Sequence, residues 1–228
     1  MRSYTLALDG STYEGSVALL RESTVVAERS VQAEDGGTPR AGRGEKLMPA
    51  IAECLESAGV SRKEIARIVC GAGPGSFTSL RVAGSIAKGL AEGLGIELFV
   101  VSSLVLTVWG ARPPLPPGEY LSILDAMRGE YFATRIILPV TGTAIQSEPA
   151  TLMSSEQLEH FRLRERGVRI VGPDQEIDAR PHARGVAPIL ASIIESDPID
   201  LASWEPDYGR LAEAQVRWEA AHGRPLTT

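Results

Sequence analysis

The chain of 228 residues is 43% hydrophobic and 23% charged, which excludes a disordered chain and supplies a sizeable core. At this length about 70% of the unfolded surface is buried on folding, so one large domain or two lobes of about 100 residues each are expected. A formal net charge of −6 argues against a protein that grips a long nucleic-acid backbone unaided. Cys54 and Cys70 match no CxxC spacing and read as small core hydrophobes in a reducing cytoplasm. The N-terminal apolar run stops at Asp9, too soon for a signal peptide, and no stretch of about 18 apolar residues exists to span a membrane.

Residues 4–9, 15–21 and 24–32 are short, rich in Val, Leu and Thr, and separated by turn formers at Asp9–Thr12 and Arg21–Ser23; they predict three strands joined by hairpins. A glycine-rich polar loop from Glu34 to Gly44 precedes Leu47, Ile51, Leu55 and Ala58 at helical spacing, closed by Gly59. Ser61–Glu64 reads as a capping box opening a short helical turn before a buried strand at 67–71. Leu80, Ala83, Ala87, Leu90, Ala91 and Leu94 mark a long helix beginning at Phe77, and a strand is expected at 96–101. The first hundred residues are therefore β-β-β-α-β-α-β.

The run Arg112–Gly118 can be neither helix interior nor central strand and marks a lobe junction. Beyond it the pattern predicts strands at 120–124, 131–138 and 144–149, then a helix capped by Ser154 and a strand at 168–171. Helices are expected at 186–195 and, with a polar surface, at 211–221. The expected division is a first lobe over 1–108, a smaller second lobe over 109–205 and a C-terminal helical segment over 206–228.

Three places could carry chemistry. Asp9, Ser11 and Thr12 sit on a tight turn that can offer backbone N–H groups and hydroxyls to a phosphate and a carboxylate to a divalent ion; a plain hairpin turn capped by Asp9 is the alternative. Gly73, Gly75, Ser76 and Thr78 lie between a buried strand and a helix, a geometry that cradles anions, or else a capped strand-to-helix turn. No Gly-Lys-Ser/Thr follows, so this is not a Walker A loop. Asp125 opens the second lobe much as Asp9 opens the first, and two acidic turns facing across a cleft are what a bilobal phosphotransferase uses. His160, His182 and His222 are scattered and read as solvated surface residues, so no metal site can be drawn. No GxSxG elbow or Cys–His pairing supports a hydrolase.

Taken in order, Asp9-Gly10-Ser11-Thr12, Gly73-Pro74-Gly75-Ser76-Phe77-Thr78-Ser79-Leu80-Arg81, Val101-Ser102-Ser103-Leu104, Asp125-Ala126-Met127-Arg128-Gly129-Glu130-Tyr131 and Pro206-Asp207-Tyr208-Gly209-Arg210 resemble the bacterial tRNA threonylcarbamoyladenosine biosynthesis family TsaB, also called YeaZ. The resemblance spans nearly the whole chain. It implies an α/β, two-lobed actin-like ATPase fold built on the ribonuclease H-like motif, each lobe a mixed sheet flanked by helices. Members resemble the metal-binding transferase TsaD without its catalytic site. Where TsaD has two histidine ligands this chain resembles it with Ser103 and Thr107, hydroxyls that cannot replace imidazoles as strong transition-metal ligands.

The resemblance further implies a scaffold without catalysis of its own, pairing with TsaD and the ATPase TsaE so that threonylcarbamoyl is installed beside the anticodon of tRNAs reading codons that begin with A. It implies a cytoplasmic protein that can pair with itself, reaches tRNA only through the complex, and binds no cofactor tightly, with ATP or ADP confined to the partner interface. The two first-lobe helices would form that interface. Glu45, Met48 and Ala52 on the first and Arg81, Ser85 and Lys88 on the second are the candidates, with Ala83, Gly84 and Ala87 allowing close approach. The sequence departs from the family pattern at Gly42-Arg43-Gly44-Glu45, at Ser79 and at Met127. An ATP-dependent kinase or a glycoprotease-like peptidase of the same fold is the competing reading. If Asp9 is an inherited, unused phosphate residue, Asp9→Ala is expected to cost about 1 kcal/mol.

Overall fold

The computed structural model describes residues 2–31, 46–141 and 146–209; the expected C-terminal helix at 211–221, the Gly42–Glu45 departure and His222 lie outside them. Strands β1 (Tyr4–Asp9), β2 (Gly15–Arg21) and β3 (Thr24–Val31) form an antiparallel meander. The turn between β2 and β3 places Glu22 at φ 54°. Helix α1 (Leu47–Ala58) stops at Gly59, whose φ of 63° lets its N–H return to the last carbonyls. The Ser61 capping box closes as expected, Ser61 N–H donating to Glu64 Oε2 at 2.9 Å. β4 (Ile65–Gly71) then runs parallel to β1, and α2 (Phe77–Leu94) leads to β5 (Glu97–Val101), parallel to β4. The sheet order is β3-β2-β1-β4-β5.

The rest of the chain repeats this plan. After α3 (Ser103–Trp109) come β6 (Gly118–Asp125), β7 (Glu130–Leu138), β8 (Gln146–Ser147), β9 (Thr151–Ser154), α4 (Ser155–Arg164), β10 (Arg169–Gly172), β11 (Ile177–Asp178) and α5 (Val186–Ile194). The second sheet runs β11-β10-β6-β7-β8, with β9 also on β7; its first hairpins are antiparallel and β10 and β11 are parallel. Both sheets therefore have the ribonuclease H-like order, and the two together make the two-lobed actin-like fold. The strand expected at 144–149 is the short β8, and β9 and α3 are elements that the sequence pattern did not show.

Strand alternation sorts the core into layers. Leu6, Leu8, Val17, Leu19, Ile68 and Cys70 face α1 and α2. Ala7, Ala18, Leu20 and Val69 face the other way, onto α3, α5 and residues of the second sheet such as Tyr120 and Ile136. Leu121, Ile123 and Ala133 on the far side of the second sheet receive Leu158 of α4. α3 and α5 are thus a shared middle layer. No helix among the described residues is long and apolar enough to cross a membrane.

Candidate functional site

Asp9 ends β1 on the face that meets α3. It is fully buried, and its carboxylate is spoken for: Oδ1 accepts from Ser11 N–H at 3.0 Å and Ser11 Oγ at 2.7 Å, and Oδ2 accepts from Ser103 Oγ at 2.6 Å. Burial pushes its pKa up, opposed by the hydrogen bonds from Ser103 and Ser11. Gly71 lies so close that a Cβ there would overlap Oδ2. Three donors converging on a solvent-free carboxylate make an internal latch, so a cost larger than about 1 kcal/mol is expected for Asp9→Ala, because stranded donors lose their partner as well. Thr12 turns its hydroxyl to Glu14 O at 2.7 Å, a local turn bond.

The glycine loop closes on the same turn. Ser76 N–H donates to Ser11 O at 2.7 Å, and a Cβ at Gly75 would collide with that carbonyl. Gly73, at φ 97°, admits the carbonyl of Asp207, and its N–H donates to Ser103 Oγ at 3.1 Å. Ser79 Oγ donates to Ser76 Oγ at 3.1 Å, while Thr78 is exposed. The structure thus brings Asp9, Ser11, Gly73, Gly75 and Ser76 together, and what fills the glycine niches is the chain's own backbone.

Ser103 and Thr107, the positions matched to metal ligands, are fully buried and turned inward, Thr107 Oγ1 donating to Ser103 O at 3.0 Å. The donor set does not fit a transition metal: both groups are hydroxyls, and both serve internal bonds. Among the described residues no three His, Cys, Asp or Glu side chains come together as ligands. Asp125 is exposed and caps its own hairpin, Oδ1 accepting from Met127 N–H at 2.8 Å, with Met127, Arg128 and Gly129 all at positive φ. Asp9 and Asp125 therefore hold matching places in the two lobes but opposite environments. Between the lobes is a cleft of about 270 Å³ lined by Gly73, Pro74, Ser102, Thr134, Glu148 and Asp207 among others. Among the described residues its polar lining offers carboxylates and hydroxyls and no basic side chain for a phosphate.

Of the interface candidates, Glu45 lies outside the described residues. Met48, Ala52, Arg81 and Ser85 are exposed, and Arg81 stands over the Phe77 ring at 5.1 Å. Lys88 is half-buried and donates to Trp204 O at 3.0 Å. Ala83 and Ala87 are fully buried in the first-lobe core, and Gly84 is covered by Trp204 and Pro206, so these small residues serve packing within the chain rather than an outer contact.

His182 corrects the sequence reading, which placed it in solvent, whereas His160 is exposed as expected. His182 is 8% exposed. Its Nδ1 accepts from Arg184 N–H at 3.1 Å and its Nε2 lies 3.2 Å from Ser30 Oγ. Burial, then Arg184 and Arg112, bring its pKa down to about 4. Beside it Glu28 pairs with Arg184 Nε at 2.8 Å and Arg112 Nη1 at 2.9 Å. Burial alone would raise the Glu28 pKa, but Arg184 and Arg112 hold it below the usual carboxylate value. This cluster joins β3 to both chain crossings between the lobes.

The class defined by these features is a two-lobed actin-like protein in which the N-terminal turn and the glycine loop are hydrogen-bonded to one another. A family model described as TsaD, tRNA N6-adenosine threonylcarbamoyltransferase, matches residues 23–147. The tRNA threonylcarbamoyladenosine biosynthesis protein TsaB of Bacillus subtilis (strain 168) is 30% identical, with 93% of this chain and 96% of that protein aligned. TsaB of Escherichia coli (strain K12) is 33% identical over 56% of this chain and 52% of its own length. In fold, YeaZ from Pseudomonas aeruginosa superposes with a TM-score of 0.71 at 22% identity, covering 90% of this chain and 99% of that one. The chain belongs to the TsaB family.

Proposed function

We propose that this chain is a non-catalytic subunit in tRNA threonylcarbamoyladenosine biosynthesis in the cytoplasm. It acts as a scaffold that seats a TsaD-type transferase on the outer faces of α1 and α2, with the ATPase TsaE completing the assembly. The partner carries out the transfer, and tRNA is reached through the complex. A second copy of the chain can use the same face when no transferase is present. The chain holds no nucleotide tightly by itself, and any ATP or ADP sits where the partner adds its own atoms.

The observation that carries this reading is the Asp9–Ser11–Ser103 latch with the glycine loop folded onto it. A kinase of this fold needs that carboxylate and those backbone N–H groups turned toward a phosphate and its metal; here the carboxylate accepts from Ser11 and Ser103, and the loop N–H groups of Gly73 and Ser76 donate to Ser103 Oγ and the Ser11 carbonyl. A scaffold needs only a complementary surface with a few central residues. Co-purification with the transferase of the same organism tests the reading. A stable pair that is lost with Ala52→Arg is expected, and failure of the wild-type chain to bind the transferase would overturn it.

A further inference from the structure

After α5 the segment Ile199–Gly209 runs back over the first lobe as a strap. Ile199 N–H donates to Leu98 O of β5 at 2.9 Å, and Asp207 N–H donates to Ala72 O beside the glycine loop at 2.7 Å. Between these points Lys88 of α2 holds Trp204 O at 3.0 Å. Gly84, one turn before Lys88, leaves room for Pro206: a Cβ there would meet Pro206 Cγ at 3.1 Å. Tyr208 packs on Phe77 with ring centroids 4.5 Å apart and the rings tilted by 45°.

The far end of the strap bridges the lobes. Gly209, at φ 65°, sits where a Cβ would overlap the Phe132 ring of β7 and lie 2.8 Å from Pro74 Cβ. Asp207 forms part of the wall of the interlobe cleft, opposite Thr134. One continuous segment is therefore fastened to β5 at its start, to the outside of α2 in its middle, and set into the mouth of the cleft at its far end. A second route runs parallel to it, from the Arg81 guanidinium to the Phe77 ring to Tyr208.

We propose that this strap couples the outer face of α2 to the opening of the interlobe cleft. A load on α2 that lifts Trp204 or Pro206 frees Gly209 from between Pro74 and Phe132, and the lobes then separate. By linkage, closing the cleft favours the strap-seated form of the α2 face to the same extent. The idea extends the proposed function to its regulation, and it rests on α2 being the partner's seat. A protein docked at exposed Arg81 and Ser85 would border the strap and read the state of the cleft.

The test uses the full chain with no partner. Spin labels at Glu56→Cys on α1 and Glu159→Cys on α4 report the lobe separation, since Cys54 and Cys70 are buried. Amide exchange over 199–209 reports whether the strap is seated. Gly84→Leu pushes on Pro206, and Lys88→Ala, a milder change, removes the Trp204 anchor. Each is expected to raise exchange in the strap severalfold and to lengthen or broaden the label distance. Faster strap exchange with an unchanged label distance, or no change in strap exchange in both variants, would overturn the coupling. Because neither readout involves the transferase, such a failure is separate from a failure to co-purify.

Discussion

Ser103 Oγ donates to Asp9 Oδ2 at 2.6 Å with neither side chain exposed. The bond fixes the start of α3 to the end of β1 and so joins the first sheet to the middle helical layer. The carboxylate offered by the sequence as a phosphate residue is held by internal bonds, and the Ser103 hydroxyl is one of its partners.

Asp9→Ala is therefore expected to destabilise the fold by about 2–4 kcal/mol, since it strands buried donors on Ser11 and Ser103 as well as deleting the acceptor. Urea denaturation checks this. In a reconstituted modification assay below the unfolding transition, activity per folded molecule should be unchanged.

Gly75→Ala tests whether the glycine loop is shaped for a ligand or for the chain itself. A Cβ there runs into the Ser11 carbonyl, so the expected result is a loss of about 1–3 kcal/mol in stability. Titration calorimetry of the wild type with ATP and magnesium should show only weak binding. Tight binding that the substitution abolishes would restore the phosphate-loop reading.

Stability should fall on mild acidification through His182. Its folded pKa of about 4 lies below the unfolded value of 6.5, so the unfolded chain takes the proton first. Stability is fully present above pH 6.5 and is lost as pH falls toward 4, by on the order of 3 kcal/mol. Asp9, with its raised pKa, works in the opposite sense, and Glu28, with its lowered one, acts below about pH 4.5. Comparing wild type with His182→Gln by denaturation at pH 7 and pH 5 isolates the histidine, and the variant should lose less stability between the two.

Much of the fold was legible because its signals are local. The Gly59 stop, the capping boxes at Ser61 and Ser154 and the Val-, Leu- and Thr-rich runs of β1 to β3 between turn formers all depend on neighbours in sequence. α3 was not legible, because Leu104, Val105, Leu106 and Val108 are buried on every side and show no polar face to set a period. The site was legible as residues but not as environment. Asp9 is recognisable in its turn, yet its partner Ser103 is 94 residues away, and Ser30, the partner of His182, is 152 residues away. The strap has no periodic signal, and its role appears only once Trp204 is seen on Lys88.

Exposed positions on α1 and α2 should tolerate charge in the isolated chain and not in the complex. Ala52→Arg and Ser85→Glu are expected to leave circular dichroism and thermal stability near wild type while weakening transferase binding by more than about 2 kcal/mol. Gln157→Arg, on exposed α4 of the second lobe, should leave transferase binding unchanged, with only a small stability loss from the missing cap bond to Ser154 N–H. Size-exclusion chromatography of the mixed proteins reads this directly.

The most direct test of the scaffold role is threonylcarbamoylation of tRNA in a system rebuilt from the purified transferase, the ATPase and this chain. Modification is expected to require the wild-type chain, and to be lost with Ser85→Glu or Ala52→Arg although both fold. Full modification with those variants, or with the chain left out, would contradict the account.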